Sequence, residues 1–350
     1  MPDLPSVIVD PHFRAVGDVF SPADLERLHE VVEVVWGRDE PMPDEAFRAA
    51  LPSAFAVVSA GWRYGPVLDE ATSLRAILTV SGGWPPELDY AACFARGIRV
   101  LSAAPGFAGA VAELALGLAL ASSRDLVAGD RAMRAGCEEW LSSARGLDTF
   151  LLSGKRVGFV GFGSIGRRLR ALLEPFGCEV RAFDPWLTDA YLRHEGVEPS
   201  ELAPLLRTSR VIFVLATPTR ENEAMLSREL LETIAPDAVL VLVSRAHVVD
   251  FEALTELVAA GRFRAAIDVY PEEPFDPEHP LRRAGGAVLS PHRAGLVREA
   301  LWELGSMVVD DLEALSHGLP PRRLQAAEPE LATRYVRTTQ LVRSAGDARP

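Results

Sequence analysis

An α/β fold in two domains, one of them built on a doubly wound parallel sheet, is predicted by three features of the sequence. Short apolar runs alternate with helix-period segments along most of the chain, the pattern of strands joined by helices in a parallel sheet. The stretch 155–184, KRVGFVGFGSIGRRLRALLEPFGCEVRAFD, compresses strand, glycine turn, helix and strand into about thirty residues, the size of one βαβ unit. A chain of 350 residues is also long for a single core.

In the first hundred residues, apolar runs at 6–9, 31–36, 54–59, 76–80 and 98–101 read as buried strands. Ser21 and Pro22 supply a cap and a first-turn proline for a helix over 23–30. Asp44 is placed to cap 45–51, and 87–96 carries apolar positions at helical spacing. Residues 108–124 are apolar nearly all round, which predicts a helix buried on several sides. This segment reads as a connector between domains and part of a dimer contact. With Glu113 and many small residues, it is expected to be too short for a membrane span. The segment 125–153 has weak periodicity and is expected to wrap the surface.

The second series opens with strands at 157–160 and 179–183. It continues with a helix at 200–207, a strand at 210–215, a helix near 226–234 and a strand at 238–243. A helix at 250–261 and strands at 264–269 and 287–290 follow. That is enough for a six-stranded dinucleotide-binding sheet. The last helix, 296–317, spaces Leu301, Leu304, Met307, Val308, Leu312 and Leu315 by threes and fours. It cannot extend a finished sheet and is expected to pack back across the domain boundary. The polar tail, 329–350, is expected to fray.

The glycine turn carries the first chemistry. Gly161 allows the turn, Gly163 lets backbone approach a pyrophosphate, and Gly166 lets helix and strand pack closely. The helix N-terminus that follows offers unpaired N–H groups and a positive dipole end to the phosphates. Asp184 can accept hydrogen bonds from a ribose diol and repel a 2′-phosphate, which favours NAD over NADP.

A net charge of -13 argues against nucleic acid and against an anionic membrane surface. An acidic protein that binds anionic ligands must use local donors, so individual arginines matter. Cys93, Cys137 and Cys178 are scattered and lack metal-ligand spacing, so reduced thiols in a cytoplasm and no metal are expected. The N-terminus has no basic region followed by an apolar stretch, so no signal peptide is expected.

Three strand ends suggest catalysis, because ligands in open α/β sheets bind at the carboxyl ends of strands. Ser244-Arg245 follows 238–243, Asp268 to Pro274 closes 264–269, and Pro291-His292 follows 287–290. Arg245 can hold a 2-oxo acid through its planar fork. His292 can exchange a proton with the substrate oxygen. Glu273 can hydrogen-bond the far ring nitrogen and fix the tautomer.

These blocks resemble the D-isomer-specific 2-hydroxyacid dehydrogenases over roughly 54–320. The similarity is strongest in GKRVGFVGFGSIGRRL at 154–169, VLVSRAHVVDFEAL at 241–254, IDVYPEEP at 267–274 with HPL at 279–281, and LSPHRAG at 289–295. SGGW at 81–84, ARGIRV at 95–100 and AVAELALGLALASSR at 110–124 also resemble family segments.

The resemblance implies a Rossmann-type domain inserted into a smaller flavodoxin-like α/β substrate domain. The expected boundaries are 1–104 and 293–328 for the substrate domain and 105–292 for the NAD domain. It implies a catalytic Arg245, Glu273 and His292. The implied cofactor positions are Gly161, Gly163, Ser164, Ile165, Gly166, Asp184, Thr217, Val243, Ser244, Arg245, Asp268, His292 and Gly295. For the substrate, Ser81, Gly82 and Gly83 would cradle the carboxylate with Arg245 and His292. The partners implied are a small 2-oxo or 2-hydroxy acid and a second copy of the chain, in a homodimer.

Departures from the family pattern lie in the loop 102–109, which lacks a polar Asn, at 215–223, at Arg210 and around Arg245. Leu242, Ser244 and Ala246 replace the usual Asn, Ala and Gly, and His247 follows. The extra methyl group of Ala246 is expected to reshape the pocket. Glyoxylate or hydroxypyruvate reduction and phosphite oxidation stay open. A cofactor-sensing corepressor of the same fold is the rival reading.

Overall fold

The computed structural model of the protein describes residues 4–140, 148–332 and 334. Among these, one compact unit takes the chain up to Ala108 and again from Gly295, and a second takes Gly109–Ala294.

The first unit is built on β1 (Ser6–Asp10), β2 (Glu33–Gly37), β3 (Ala56–Ser59), β4 (Ala76–Thr79) and β5 (Arg99–Ser102). They are parallel and run in the spatial order β5-β4-β3-β1-β2, with the antiparallel pair Gln325–Ala326 beyond β5. This is the flavodoxin-like 2-1-3-4-5 order. Val7, Val9, Val58 and Leu78 enter one core while Ile8, Val57 and Ile77 enter another. Burial on both faces is why these strands read as unbroken apolar runs.

The helix Arg298–Ser316 returns to the first of those cores with Leu301, Leu304, Met307, Val308, Leu312 and Leu315. At Gly305 it meets the short helix Val16–Val19 so closely that a Cβ would lie 2.2 Å from the Val19 carbonyl oxygen. Asp311, buried near the end of the long helix, accepts the backbone N–H groups of Arg322, Arg323 and Leu324. That bend leads the chain into Gln325–Ala326.

The second unit contains β6 (Arg156–Val160), β7 (Glu179–Phe183), β8 (Glu198–Pro199), β9 (Val211–Val214), β10 (Val239–Leu242), β11 (Arg264–Ile267) and β12 (Ala287–Leu289). All are parallel, in the order β12-β11-β10-β9-β6-β7-β8. Renumbered from β6, this is the 3-2-1-4-5-6 dinucleotide-binding order with one further strand at the β12 edge. Val160, Val214, Leu240, Leu242 and Ile267 pack with Leu254, Leu257 and Val258 of the helix Phe251–Ala259 in one apolar cluster.

Several elements differ from their expected form. The sheet has seven strands rather than six, because Glu198–Pro199 adds a two-residue edge too short to register as an apolar run. Pro43, not Asp44, takes the N-cap position, and Asp44 is the first helical residue. Ser21 caps as expected, accepting the Asp24 N–H at 3.1 Å, with Pro22 in the first turn.

Ala104–Ser123 is one continuous helical stretch of 20 residues, longer than its sequence indicated and, by length and composition alone, sufficient to cross a membrane. Within 125–153 lies a helix, Leu126–Ala135, with none of its residues buried. Residues 141–147 lie outside the described residues, as does most of the 329–350 tail. Its start, Pro329–Ala332, forms a short helix. All three cysteines are free.

Candidate active site

The glycine turn follows β6. Gly161 has φ 93°, and a Cβ there would sit 2.7 Å from the Ala216 Cα, so only glycine fits between β6 and the chain leaving β9. Gly163 is the N-cap of the helix Ser164–Leu173, and no side chain caps that helix. Nothing lies within 4 Å of a Cβ built at Gly163. Open space over uncapped helix-start amides suits a diphosphate. Gly166 is buried with its Cβ direction 3.0 Å from the Phe162 ring.

Asp184 stands directly after β7. It accepts the Phe162 N–H at 2.8 Å and the Trp186 N–H at 3.0 Å. The acid expected at the ribose thus also ties the glycine turn to the next strand. Each carboxylate oxygen keeps a second lone pair for a ligand.

Val243, Ser244 and Arg245 leave the end of β10. The Arg245 Nη1 donates to the Ser244 carbonyl at 2.6 Å. Among the described residues, no hydrogen bond joins Arg245 to Glu273 or His292. The Ser244 hydroxyl is buried without a hydrogen-bond partner. Ala246, next to Arg245, is buried and belongs to the apolar core of the unit. His247 donates from Nε2 to the Thr219 carbonyl at 2.9 Å. Asn222 adds bonds of 2.8 Å to the Thr217 carbonyl and to the Thr219 N–H. The Thr217 segment is therefore pinned to the turn that carries Arg245.

Glu273 and His292 meet directly. The His292 Nδ1 lies 2.7 Å from the Glu273 Oε2. A carboxylate only accepts, so Nδ1 carries the hydrogen and Nε2 is left for a ligand. The second Glu273 oxygen accepts the Tyr270 N–H at 3.2 Å. The Tyr270 hydroxyl donates to the Ser290 carbonyl at 3.0 Å. Burial, with the nearby Asp268 charge, pushes that phenol up to about 12. It therefore remains a donor throughout the neutral range.

Asp268, expected beside the nicotinamide, has a further role. It is fully buried and accepts from the Ser290 hydroxyl, the Arg293 N–H at 2.9 Å and the Ala294 N–H at 3.0 Å. Those donors bracket His292, whose φ of 51° is in the left-handed region. Nothing in the sequence marks this hold, because two of its three donors are backbone groups.

Ser81, Gly82, Gly83 and Gly295 belong to the first unit. Thr79 and Ser102, the last residues of β4 and β5, both donate side-chain hydroxyls to the Gly83 carbonyl, at 2.9 and 3.1 Å. The loop is thus anchored through a carbonyl. Gly295 makes room for the Phe107 ring, 2.8 Å from a Cβ built there.

Residues 116–294 match the family model of the D-isomer specific 2-hydroxyacid dehydrogenase, NAD binding domain. The chain is 32% identical over 301 residues to a D-3-phosphoglycerate dehydrogenase of Mycobacterium tuberculosis, covering 85% of this chain and 55% of that protein. It is 31% identical over 260 residues to a glyoxylate reductase of Thermofilum pendens, covering 73% of this chain and 76% of that protein. A solved structure of a phosphoglycerate oxidoreductase from Rhizobium etli superposes with a TM-score of 0.79 at 36% identity, covering 93% of this chain and 99% of that one. The chain spans about half the length of the D-3-phosphoglycerate dehydrogenases it matches. On the family model and on the glyoxylate reductase likeness, the chain belongs to the D-isomer-specific 2-hydroxyacid dehydrogenase family.

Proposed function

We propose that the protein is an NAD-dependent oxidoreductase that interconverts a 2-oxo acid and an (R)-2-hydroxy acid. The observation that carries this reading is the 2.7 Å pair of His292 and Glu273 at the end of a dinucleotide-binding sheet. The bound dinucleotide supplies or accepts the hydride. His292 holds a proton at Nε2 for the substrate oxygen, while Glu273 fixes the ring through Nδ1. Arg245 holds the substrate carboxylate and carbonyl through its planar guanidinium. The amides of Ser81–Gly83 add donors to the carboxylate. Asp184 contributes a negative charge beside the glycine turn, which supports NAD over NADP.

The test is NADH and NADPH oxidation followed spectrophotometrically with a panel of 2-oxo acids, glyoxylate included. Turnover of at least one member, faster with NADH, is expected. Tight NADH binding without turnover of any member would replace this reading with a cofactor sensor.

We also propose a homodimer built through the second unit. The helix Leu126–Ala135 buries none of its residues, and Leu126, Met133, Trp140 and Leu151 are exposed large apolar side chains. Apolar surface of this kind marks an interaction site, and the family resemblance makes its occupant a second copy. Sedimentation at twice the chain mass of 37.9 kDa is expected. A monomer at micromolar concentration would overturn the assignment.

A further inference from the structure

Two neighbouring strands of the first unit each end on a buried hydroxyl. In β4, Ala76, Ile77 and Leu78 lead to Thr79, and in β5, Val100 and Leu101 lead to Ser102. Thr79 is 0% and Ser102 1% exposed. A hydroxyl in such a place is costly unless it is bonded. The two residues are register partners in adjacent parallel strands, so their side chains leave the same face of the sheet. Both hydroxyls donate to one oxygen, the Gly83 carbonyl, at 2.9 and 3.1 Å. The Ser102 oxygen also accepts the Ala104 N–H at 3.2 Å.

A carbonyl oxygen has two lone pairs, and these two donors use both. Turning the Gly83–Trp84 peptide out of this orientation breaks both bonds at once. The restraint falls where the chain is otherwise loosest, because Gly82 and Gly83 have no side chain to limit their backbone angles. The same loop exposes donors. Among the described residues, the N–H groups of Ser81, Gly82 and Gly83 make no hydrogen bond, whereas the preceding Val80 N–H bonds the Ser59 carbonyl at 2.9 Å. Successive backbone N–H groups without protein partners suit an anion.

We propose that Thr79 and Ser102 are positioning residues for substrate binding. By holding the Gly83 carbonyl against the strand ends, they keep the Ser81–Gly83 amides available to the substrate carboxylate. The proposal rests on the dehydrogenase reading, in which those amides meet that carboxylate. Each hydroxyl is spent on Gly83 and acts through a single peptide group.

The test measures kcat and KM for glyoxylate, and for the 2-oxo acid the parent reduces fastest, at saturating NADH. The variants are Thr79→Val, Ser102→Ala and the pair together. Each single substitution should raise KM about three- to tenfold, and the pair about 30-fold or more, with kcat kept within about threefold. Thr79→Ser retains a hydroxyl and should keep KM within about twofold of the parent. The Kd for NADH, from a fluorescence titration, should not move. Circular dichroism reads folding separately, and Ser102→Ala tests the clamp by itself if Thr79→Val does not fold.

An unchanged KM in the folded variants, a fall in kcat without a rise in KM, or a Thr79→Ser variant as impaired as Thr79→Val overturns the clamp alone. A parent that turns over no 2-oxo acid overturns the dehydrogenase reading, and the clamp with it.

Discussion

His292→Asn lowers turnover of a 2-oxo acid by a factor of roughly 100 to 10,000 while NADH still binds. The effect follows from what the imidazole alone supplies. Glu273 takes Nδ1 at 2.7 Å, which leaves Nε2 as the only ring position able to exchange a proton with substrate. Asparagine is the right replacement because His292 sits at φ 51°. Asparagine tolerates that region better than most residues, so the backbone is kept and the proton is removed. Glu273 retains its Tyr270 N–H bond in the variant. Single-turnover rates and an NADH fluorescence titration separate the two effects. Turnover within threefold of the parent would remove His292 from the chemistry.

The parts of this molecule legible in its sequence are those where one physical requirement acts alone. Strands covered on both faces must be apolar throughout, so VIV at 7–9, AVV at 56–58 and VLVL at 239–242 announce themselves. Gly161 is legible because the approach of Ala216 leaves no room for a side chain. Glu273 and His292 follow two strands that pair with each other, which places their loops at one edge.

What escaped the sequence depends on partners that carry no residue code. Asp184 holds the Phe162 amide, and Asp268 holds the amides of Arg293 and Ala294. Any residue but proline presents the same donor there. That Ala246 is buried in the apolar core of its unit was not readable from the letter beside Arg245. The helix Leu126–Ala135 was missed because none of its residues is buried among the described residues, so no apolar face marks it.

Asp268→Asn is expected to cost roughly 2–5 kcal/mol of stability and to lower turnover by at least about tenfold. The carboxylate is fully buried and accepts from three donors, with both oxygens engaged. An amide in its place sets an NH2 group against at least one of those donors. Two donors are then buried face to face, and a bond is lost. The bonds lost are the ones that hold Ser290, Arg293 and Ala294 on either side of His292. The strained His292 backbone, φ 51°, persists only while its surroundings over-determine it. Released, it lets the imidazole leave the line set by Glu273.

Two roles for Asp268 give different results. If it acts by direct contact with the cofactor, the Kd for NADH rises along with the loss of turnover. If it acts through His292, kcat falls while Kd holds. In that case adding Asp268→Asn to His292→Asn costs little further activity, because the group being positioned is already gone. The geometry favours the second outcome, since three of the acceptor positions of Asp268 are already spent on the His292 loop. Full additivity of the two substitutions would sink it.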